Sequence, residues 1–268
     1  MTGSVRVTGH FGEWIQGRLG PEGPVVLITL VCQSLGVRAR RLASGTFSLR
    51  GNTGLDRDVA VRFFGALGVD LPKAQFDLTA DARPGSGVGV STASLLALAE
   101  TAGVAAPPDV LAAAALVAEG AVDPLMLKAP DQCLWASRDA KAVRDTAALP
   151  AFDVVGGFWG APERTEAADR NFPDALDLIE AWEASSGDVS ALAEVVSASA
   201  SRTTALRGPL EDPTSVLADK VSALGHARAH TGSARALLFA PGTVPDGAEA
   251  AMAAAGYDDV FQFRTGGT

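Results

Sequence analysis

Apolar residues alternate with polar ones, or run together, at 5–8, 25–31, 36–40, 46–49 and 75–79, and each run predicts a strand, with Gly-rich turns at 20–23 and 51–54 between them. Over 58–67 the period changes. Val59, Phe63 and Leu67 fall on one helical face, and Gly68 marks the end of that helix. A buried helix is predicted where Leu95-Leu96-Ala97-Leu98-Ala99 follows a glycine-rich loop, with Gly103 as its stop, and Pro107-Pro108-Asp109 opens an alanine-rich helix closed by Gly120. Strands followed by helices, without regular βαβ alternation, predict an α+β first half. The chain turns polar over 139–150 and breaks at Pro150, which predicts a boundary there. Beyond it the pattern predicts strands at 152–159, 227–230, 234–240 and 260–263. Helices are expected from Pro173 to Gly187 (Leu176, Ile179 and Trp182 on one face), over 189–207 and 214–224, and near 246–255. Two strand–helix groups on one sheet predict a ferredoxin-like sandwich.

Composition narrows the function classes. A length of 268 residues suits two domains, and with 47% hydrophobic but only 6% aromatic residues, alanine, valine and leucine must fill the core. Net charge is −9, and the one basic cluster is Arg38-Ala39-Arg40-Arg41, which argues against a nucleic-acid partner. An acidic chain can still hold a nucleotide, because backbone amides and a metal ion neutralise phosphates locally. The longest apolar run, 24–31, is too short to span a membrane, and no secretory pattern opens the chain. Cys32 and Cys133 are isolated, which predicts buried free thiols and a cytoplasmic location. His10, His226 and His230 lack the paired spacing of a zinc site.

The candidate chemistry centres on Pro84-Gly85-Ser86-Gly87-Val88-Gly89-Val90-Ser91-Thr92-Ala93-Ser94. Glycines in alternation bare main-chain N–H groups, and the helix that follows aims its positive end at the same spot, which together suit a phosphate chain. Ser91 and Thr92 could cap that helix or reach a magnesium ion. The loop is neither a Walker loop, which needs Lys where Val90 stands, nor a Rossmann fingerprint, for which Glu119 or Asp109 would have to serve as the distant acid. An ordinary turn before a capped helix is the alternative.

Two further segments combine with it: Gly9-His10-Phe11-Gly12-Glu13-Trp14-Ile15-Gln16-Gly17 and Ala229-His230-Thr231-Gly232-Ser233-Ala234. The three segments together resemble the signature motifs of the GHMP kinase superfamily. Within it, Gly12-Glu13-x-Ile15-Gln16-Gly17, the segment 27–32, Thr165-Glu166, Arg170-Asn171 and the stretch 199–207 are similar to the L-threonine kinases of cobalamin assembly, also called propanediol-utilisation proteins. Val90 and Ser94 depart from that pattern, which usually has a serine and an aspartate there.

The resemblance implies a GHMP kinase fold. Its N-terminal ATP-binding domain, 1–148, would be like the second domain of ribosomal protein S5, and its C-terminal domain, 149–268, ferredoxin-like. It implies ATP and Mg2+ as cofactors and phosphorylation of the L-threonine side chain to O-phospho-L-threonine. The alternatives are a kinase for another small alcohol such as homoserine, or a non-catalytic relative that binds ATP or a metabolite. The expected partner is the small substrate, and the expected state a monomer or homodimer.

By position, residues Pro84, Gly85, Ser86, Gly87, Val88, Gly89, Val90, Ser91 and Thr92 are expected to bind the nucleotide, with Ser91 also touching the metal and serving catalysis. Glu13, His230, Thr231, Gly232 and Ser233 are expected at the substrate. Phosphoryl transfer needs a positioned hydroxyl more than covalent chemistry. Asp123, in Ala121-Val122-Asp123-Pro124, is the candidate base, or else a helix-start residue before Pro124. His10, a single histidine near a turn, reads first as a hydrogen-bonded structural residue. Arg202, Arg235 and Arg264 are unranked candidates for a substrate carboxylate, and Thr165 and Glu166 for contacts from the second domain.

Overall fold

The computed structural model describes residues 4–267. Strand β1 (Ser4–Arg18) pairs antiparallel with β2 (Val25–Ser44), from Ser4 opposite Arg40 to Arg18 opposite Val25. Both strands outrun the expected lengths. β1 carries through the whole 9–17 motif, and β2 joins the separate runs at 25–31 and 36–40. The ladder stays continuous through bulges at Thr8/Gly9, between His10 and Glu13, and between Glu13 and Ile15, which take up Gly9 and Gly12. Next come β3 (Ser48–Gly51), α1 (Arg57–Ala66), β4 (Ala74–Ala80), α2 (Val90–Thr101) and α3 (Pro108–Glu119). Asp56 caps α1 by accepting from the Val59 N–H at 2.8 Å, and Gly120, at φ 77°, ends α3. α2 is apolar on nearly every side and buried from Val90 to Ala99 except at Ser91, as suits a helix enclosed by protein.

The polar stretch taken as a boundary holds the second strand of a hairpin that the sequence pattern missed, β5 (Cys133–Ala136) with β6 (Lys141–Asp145). β6 is exposed along its length, so it carries no hydrophobic alternation to betray it. The second half contains β7 (Phe152–Phe158), α4 (Leu176–Ala184), α5 (Val189–Arg207), α6 (Thr214–Lys220), β8 (Gly225–Arg228), β9 (Ala234–Phe239), α7 (Ala248–Ala254) and β10 (Asp258–Thr265). Its strands run in the order β10-β7-β9-β8, all antiparallel neighbours, with helices between β7 and β8 and between β9 and β10. That is the ferredoxin-like arrangement.

The two strand groups meet where Glu13 of β1 pairs with Arg228 of β8. β1 therefore lies at the centre of one long sheet, β10-β7-β9-β8-β1-β2-β4-β3. The few aromatic residues concentrate at this seam. Phe11 packs against Phe158, Phe261 and Phe263 with ring centroids 5.3–5.6 Å apart, and Trp14 sits 5.1 Å from Phe152 and 6.2 Å from Trp182. Such pairs add about 0.5–1.5 kcal/mol each beyond area burial. Cys32 and Cys133 are free and buried.

Candidate active site

Gly85, Gly87 and Gly89 all take left-handed backbone conformations (φ 82°, 79° and 75°), the alternation that curls a main chain into an anion-binding concavity. What holds the curl is a set of bonds to its carbonyls. Gly85 O accepts from Glu163 N, Ser86 O from Ser233 N and Ala234 N, Gly87 O from Gly12 N, and Val88 O from His10 N. The N–H groups of Gly87, Val88 and Gly89 have no partner among the described residues. The three motifs are thus bonded into one unit. Contact is close enough that a Cβ on Gly87 would stand 2.3 Å from Thr231 O, and one on Gly232 2.4 Å from Gly85 O.

The loop opens onto a cavity of about 340 Å3, within the usual range for a small-ligand site. Pro84, Gly85, Gly87, Val88, Gly89, Val90, Ser91 and Thr92 line it, together with Glu13, Asp123, His230 and Thr231. Ser86, Gly232 and Ser233 do not line it; the Ser233 N–H donates to Ser86 O.

Ser91 and Thr92 are not helix caps. The N-cap of α2 is Gly89 and carries no side-chain cap bond. The Ser91 hydroxyl donates instead to Glu119 Oε1, and Thr92 Oγ1 accepts from the Asp123 N–H at 3.2 Å. Glu119, at the last turn of α3, was missed as a functional residue because nothing local marks it; only the packing of α3 beside α2 brings it to Ser91. Burial pushes its carboxyl up to about 7, against the pull of the Ser91 bond. A hydroxyl and a carboxylate in contact at a cavity wall offer the hard oxygen donors that Mg2+ takes. Ser94 faces away into its helix, its hydroxyl donating to Val90 O at 2.6 Å.

Asp123 begins no helix: a turn follows it. Its carboxylate lies 3.4 Å from His10 Nε2, and His10 Nδ1 lies 3.6 Å from Glu13 Oε1. In a regular strand, residues three apart face opposite sides of the sheet. The bulge between His10 and Glu13, with Gly12 at φ 75°, turns both into the cavity. Burial alone would favour a neutral His10, but the Glu13 and Asp123 carboxylates outweigh it and raise the imidazole to about 9. Burial raises Glu13 to about 8, with His10 opposing. Asp123 moves the other way. Burial would raise it, but His10 and Arg138 hold it below the ordinary aspartate range, so it is ionised at neutral pH.

On the opposite wall His230 stacks on Phe172 (centroids 3.9 Å apart, 12° between planes) and receives a bond from Arg138 Nη1 at 3.2 Å. Burial and then Arg138 keep this imidazole neutral, well below its ordinary value. Thr165 bonds Thr231 hydroxyl to hydroxyl at 2.6 Å. The three arginines proposed for a carboxylate are all occupied: Arg202 by Asp177 (2.6 Å), Arg235 by Asp212 (2.5 Å) and Arg264 by Asp153 (2.6 Å).

These ionisations fix a stability trend. His10 keeps its proton to about pH 9 when folded but only to about 6.5 when unfolded, and Glu13 keeps its own to about 8 rather than about 4.5. Between pH 7 and 9 the folded protein therefore binds more protons than the unfolded one, and stability falls as pH rises. The His10 contribution is complete below 6.5 and lost through 9. Asp123, shifted the opposite way, acts only in acid. Thermal melts from pH 7 to 9 should show Tm falling, with a shallower slope in Glu13→Gln. A Tm that is flat or rises over that window contradicts the assignment.

No protein-family model and no curated protein matches the sequence. Solved structures do match. L. major mevalonate kinase in complex with R-mevalonate superposes with a TM-score of 0.67 at 14% identity, covering 99% of this chain and 96% of that one. Mevalonate kinase from methicillin-resistant Staphylococcus aureus MRSA252 gives 0.61 at 15% identity, covering 99% of both chains. A putative homoserine kinase from Listeria monocytogenes gives 0.63 at 16% identity, covering 99% and 97%. The chain has the GHMP kinase fold. What is shared at these identities is architecture, with the ferredoxin-like strand order described above as its second half.

Proposed function

We propose that this protein is a GHMP-type kinase that uses ATP and Mg2+ to phosphorylate the side-chain hydroxyl of L-threonine, giving O-phospho-L-threonine for the cobalamin side arm. The observation that carries the kinase reading is the meeting, in one cavity, of the glycine loop, the Ser91–Glu119 pair and the ionised Asp123 beside His10. A non-catalytic relative would have no use for that set. Val90 and Ser94 are compatible with it, since neither supplies a group the cavity lacks.

Each residue has a task in this reading. The idle N–H groups of Gly87, Val88 and Gly89 bind phosphate oxygens, and Ser91 and Glu119 hold Mg2+, which when bound neutralises charge on the phosphates. Asp123 accepts a hydrogen bond from the substrate hydroxyl and takes its proton as the oxygen bonds to the γ-phosphorus; ADP leaves with the bridging oxygen. His10, protonated, keeps Asp123 ionised until that step. Glu13 Oε2 is buried without a partner among the described residues; an ammonium group beside it would satisfy it and draw Glu13 into its ionised form, which favours an amino acid over a plain hydroxy acid. Threonine itself rests on the resemblance of the 12–17, 27–32 and 229–233 segments to the threonine kinases.

A coupled ADP-release screen over hydroxy-amino acids, sugars and mevalonate tests the reading. L-Threonine should outperform L-serine and L-homoserine, by a modest margin over serine, since one methyl in an apolar pocket discriminates by roughly 10- to 200-fold. Absence of transfer to threonine at millimolar concentration with Mg2+ present overturns the substrate, and absence on every alcohol overturns the kinase.

A further inference from the structure

Arg138 follows β5 and is buried, with 8% of its surface exposed, yet it lines the cavity. Its Nη1 donates to Ser137 Oγ at 2.8 Å and to His230 Nε2 at 3.2 Å. Among the described residues its Nε and Nη2 have no hydrogen-bond partner, and no carboxylate forms an ion pair with it. A guanidinium left this way is costly: burying donors without acceptors opposes folding, and the carboxylates that act on it, Asp123 and Asp169, do so from beyond ion-pair distance. The other buried arginines do not share the condition. Arg235 is paired with Asp212, and Arg228 donates to Thr204 Oγ1, Gly208 O and Ala229 O.

We infer that Arg138 is the receptor for a carboxylate on the substrate, so that the acceptor of this kinase is a small hydroxy acid rather than a neutral alcohol. The inference rests on the kinase reading above and specifies its acceptor site. Two adjacent idle N–H donors on one planar guanidinium match the two oxygens of a carboxylate. The side chain is held in place to receive it: His230 fixes Nη1, and the Phe172 ring lies 5.5 Å from the guanidinium carbon. Location separates this cation from the phosphate end. Arg62 and Arg164 are the arginines whose charge acts on Glu119, whereas Arg138 acts on Asp123. A substrate anchored on Arg138 therefore presents its hydroxyl toward Asp123, with Ser91 and Glu119 beyond. Burial, and then the charge of Arg170, bring the Arg138 pKa down to about 10, with Asp123 and Asp169 pulling the other way.

The test measures binding apart from turnover. Full-length protein loaded with ADP and Mg2+ is titrated by calorimetry with L-threonine, L-homoserine and R-mevalonate, and with the carboxamide of each. Wild type should prefer the best-binding acid over its amide by roughly 10- to 100-fold, the scale of charge-assisted hydrogen bonds. Arg138→Gln should abolish that preference while ADP affinity stays the same, and Arg138→Lys should recover part of it. Equal binding of acid and amide by wild type overturns the inference, and so does an Arg138→Gln variant that keeps the preference but loses ADP, which would make Arg138 a phosphate ligand. Should Arg138→Gln not fold, the wild-type acid-to-amide ratio still decides. Failure of the kinase reading looks different: an Arg138-dependent preference for the acid with no ADP released from ATP by any of the three.

Discussion

Asp123→Asn should fold normally, bind ATP as wild type does, and transfer phosphate roughly 10²-fold more slowly or worse, the usual scale of a lost general base. Asn keeps the shape of the side chain and leaves the Asp123 N–H bond to Thr92 Oγ1 in place, so the fold has little reason to respond. What disappears is the negative charge 3.4 Å from His10 Nε2. The hydroxyl of the substrate then has no proton acceptor, and His10 loses one of the two carboxylates that keep it protonated. Because the charge matters most as the proton leaves, kcat should fall more than the apparent substrate affinity. A pH–rate profile adds a second readout, since the falling limb that reports His10 deprotonation should move to lower pH in the variant. Steady-state rates with calorimetric ATP affinity decide the matter; near wild-type turnover would leave Asp123 a spectator beside His10.

Glu119→Gln should lower turnover by roughly 10²- to 10³-fold, comparable to removing a preorganised transition-state contact, and should raise rather than lower thermal stability at pH 8. The two effects part because of where the carboxylate sits. Burial has lifted its pKa to about 7, so at pH 8 the folded protein holds an ionised group in surroundings that disfavour it. Gln retains a carbonyl oxygen for the Ser91 hydroxyl and removes the charge. With the charge goes the main electrostatic hold on Mg2+, so the magnesium concentration for half-maximal activity should rise. Ser91→Ala should act in the same direction with a smaller loss. It should not cost the stability of about 1 kcal/mol expected of a lost helix cap, because Gly89 and not Ser91 occupies that position. Melting curves and magnesium titrations on the same variants check both statements, and an unchanged magnesium requirement in Glu119→Gln would remove Glu119 from the metal site.

How much of the site could be read from the chain differs residue by residue. The glycine loop was legible because its need is local. Three glycines alternating before an apolar helix suit a backbone that takes left-handed conformations in succession, and Gly85, Gly87 and Gly89 do so. Helices α1 and α3 were legible for the same reason, each marked by local signals: the apolar period of 58–67 and Gly68 for one, Pro108 and Gly120 for the other. The ferredoxin-like second half followed from the order of periodic segments, since few arrangements of strands and helices in that sequence can bury their apolar faces on one sheet.

The sequence by itself therefore determined most of the elements, the α+β class and the three motifs, which depend on neighbours within a turn or a strand, but not the β5–β6 hairpin. Tertiary structure alone decided which groups meet. Glu119 reaches Ser91 only because α3 packs beside α2, and Arg138 and His230, 92 residues apart, share a bond only because β5 and the β8–β9 junction end at the same cavity. The direction of His10 depends on a bulge that a strand pattern does not encode, and the freedom of Arg202, Arg235 and Arg264 was lost to aspartates far away in sequence. Charges act through space over several ångströms, whereas the signals that sequence patterns carry run along the backbone. A buried arginine with two idle donors looks in sequence like any other arginine in a polar stretch. Its solitude is a property of the packed interior.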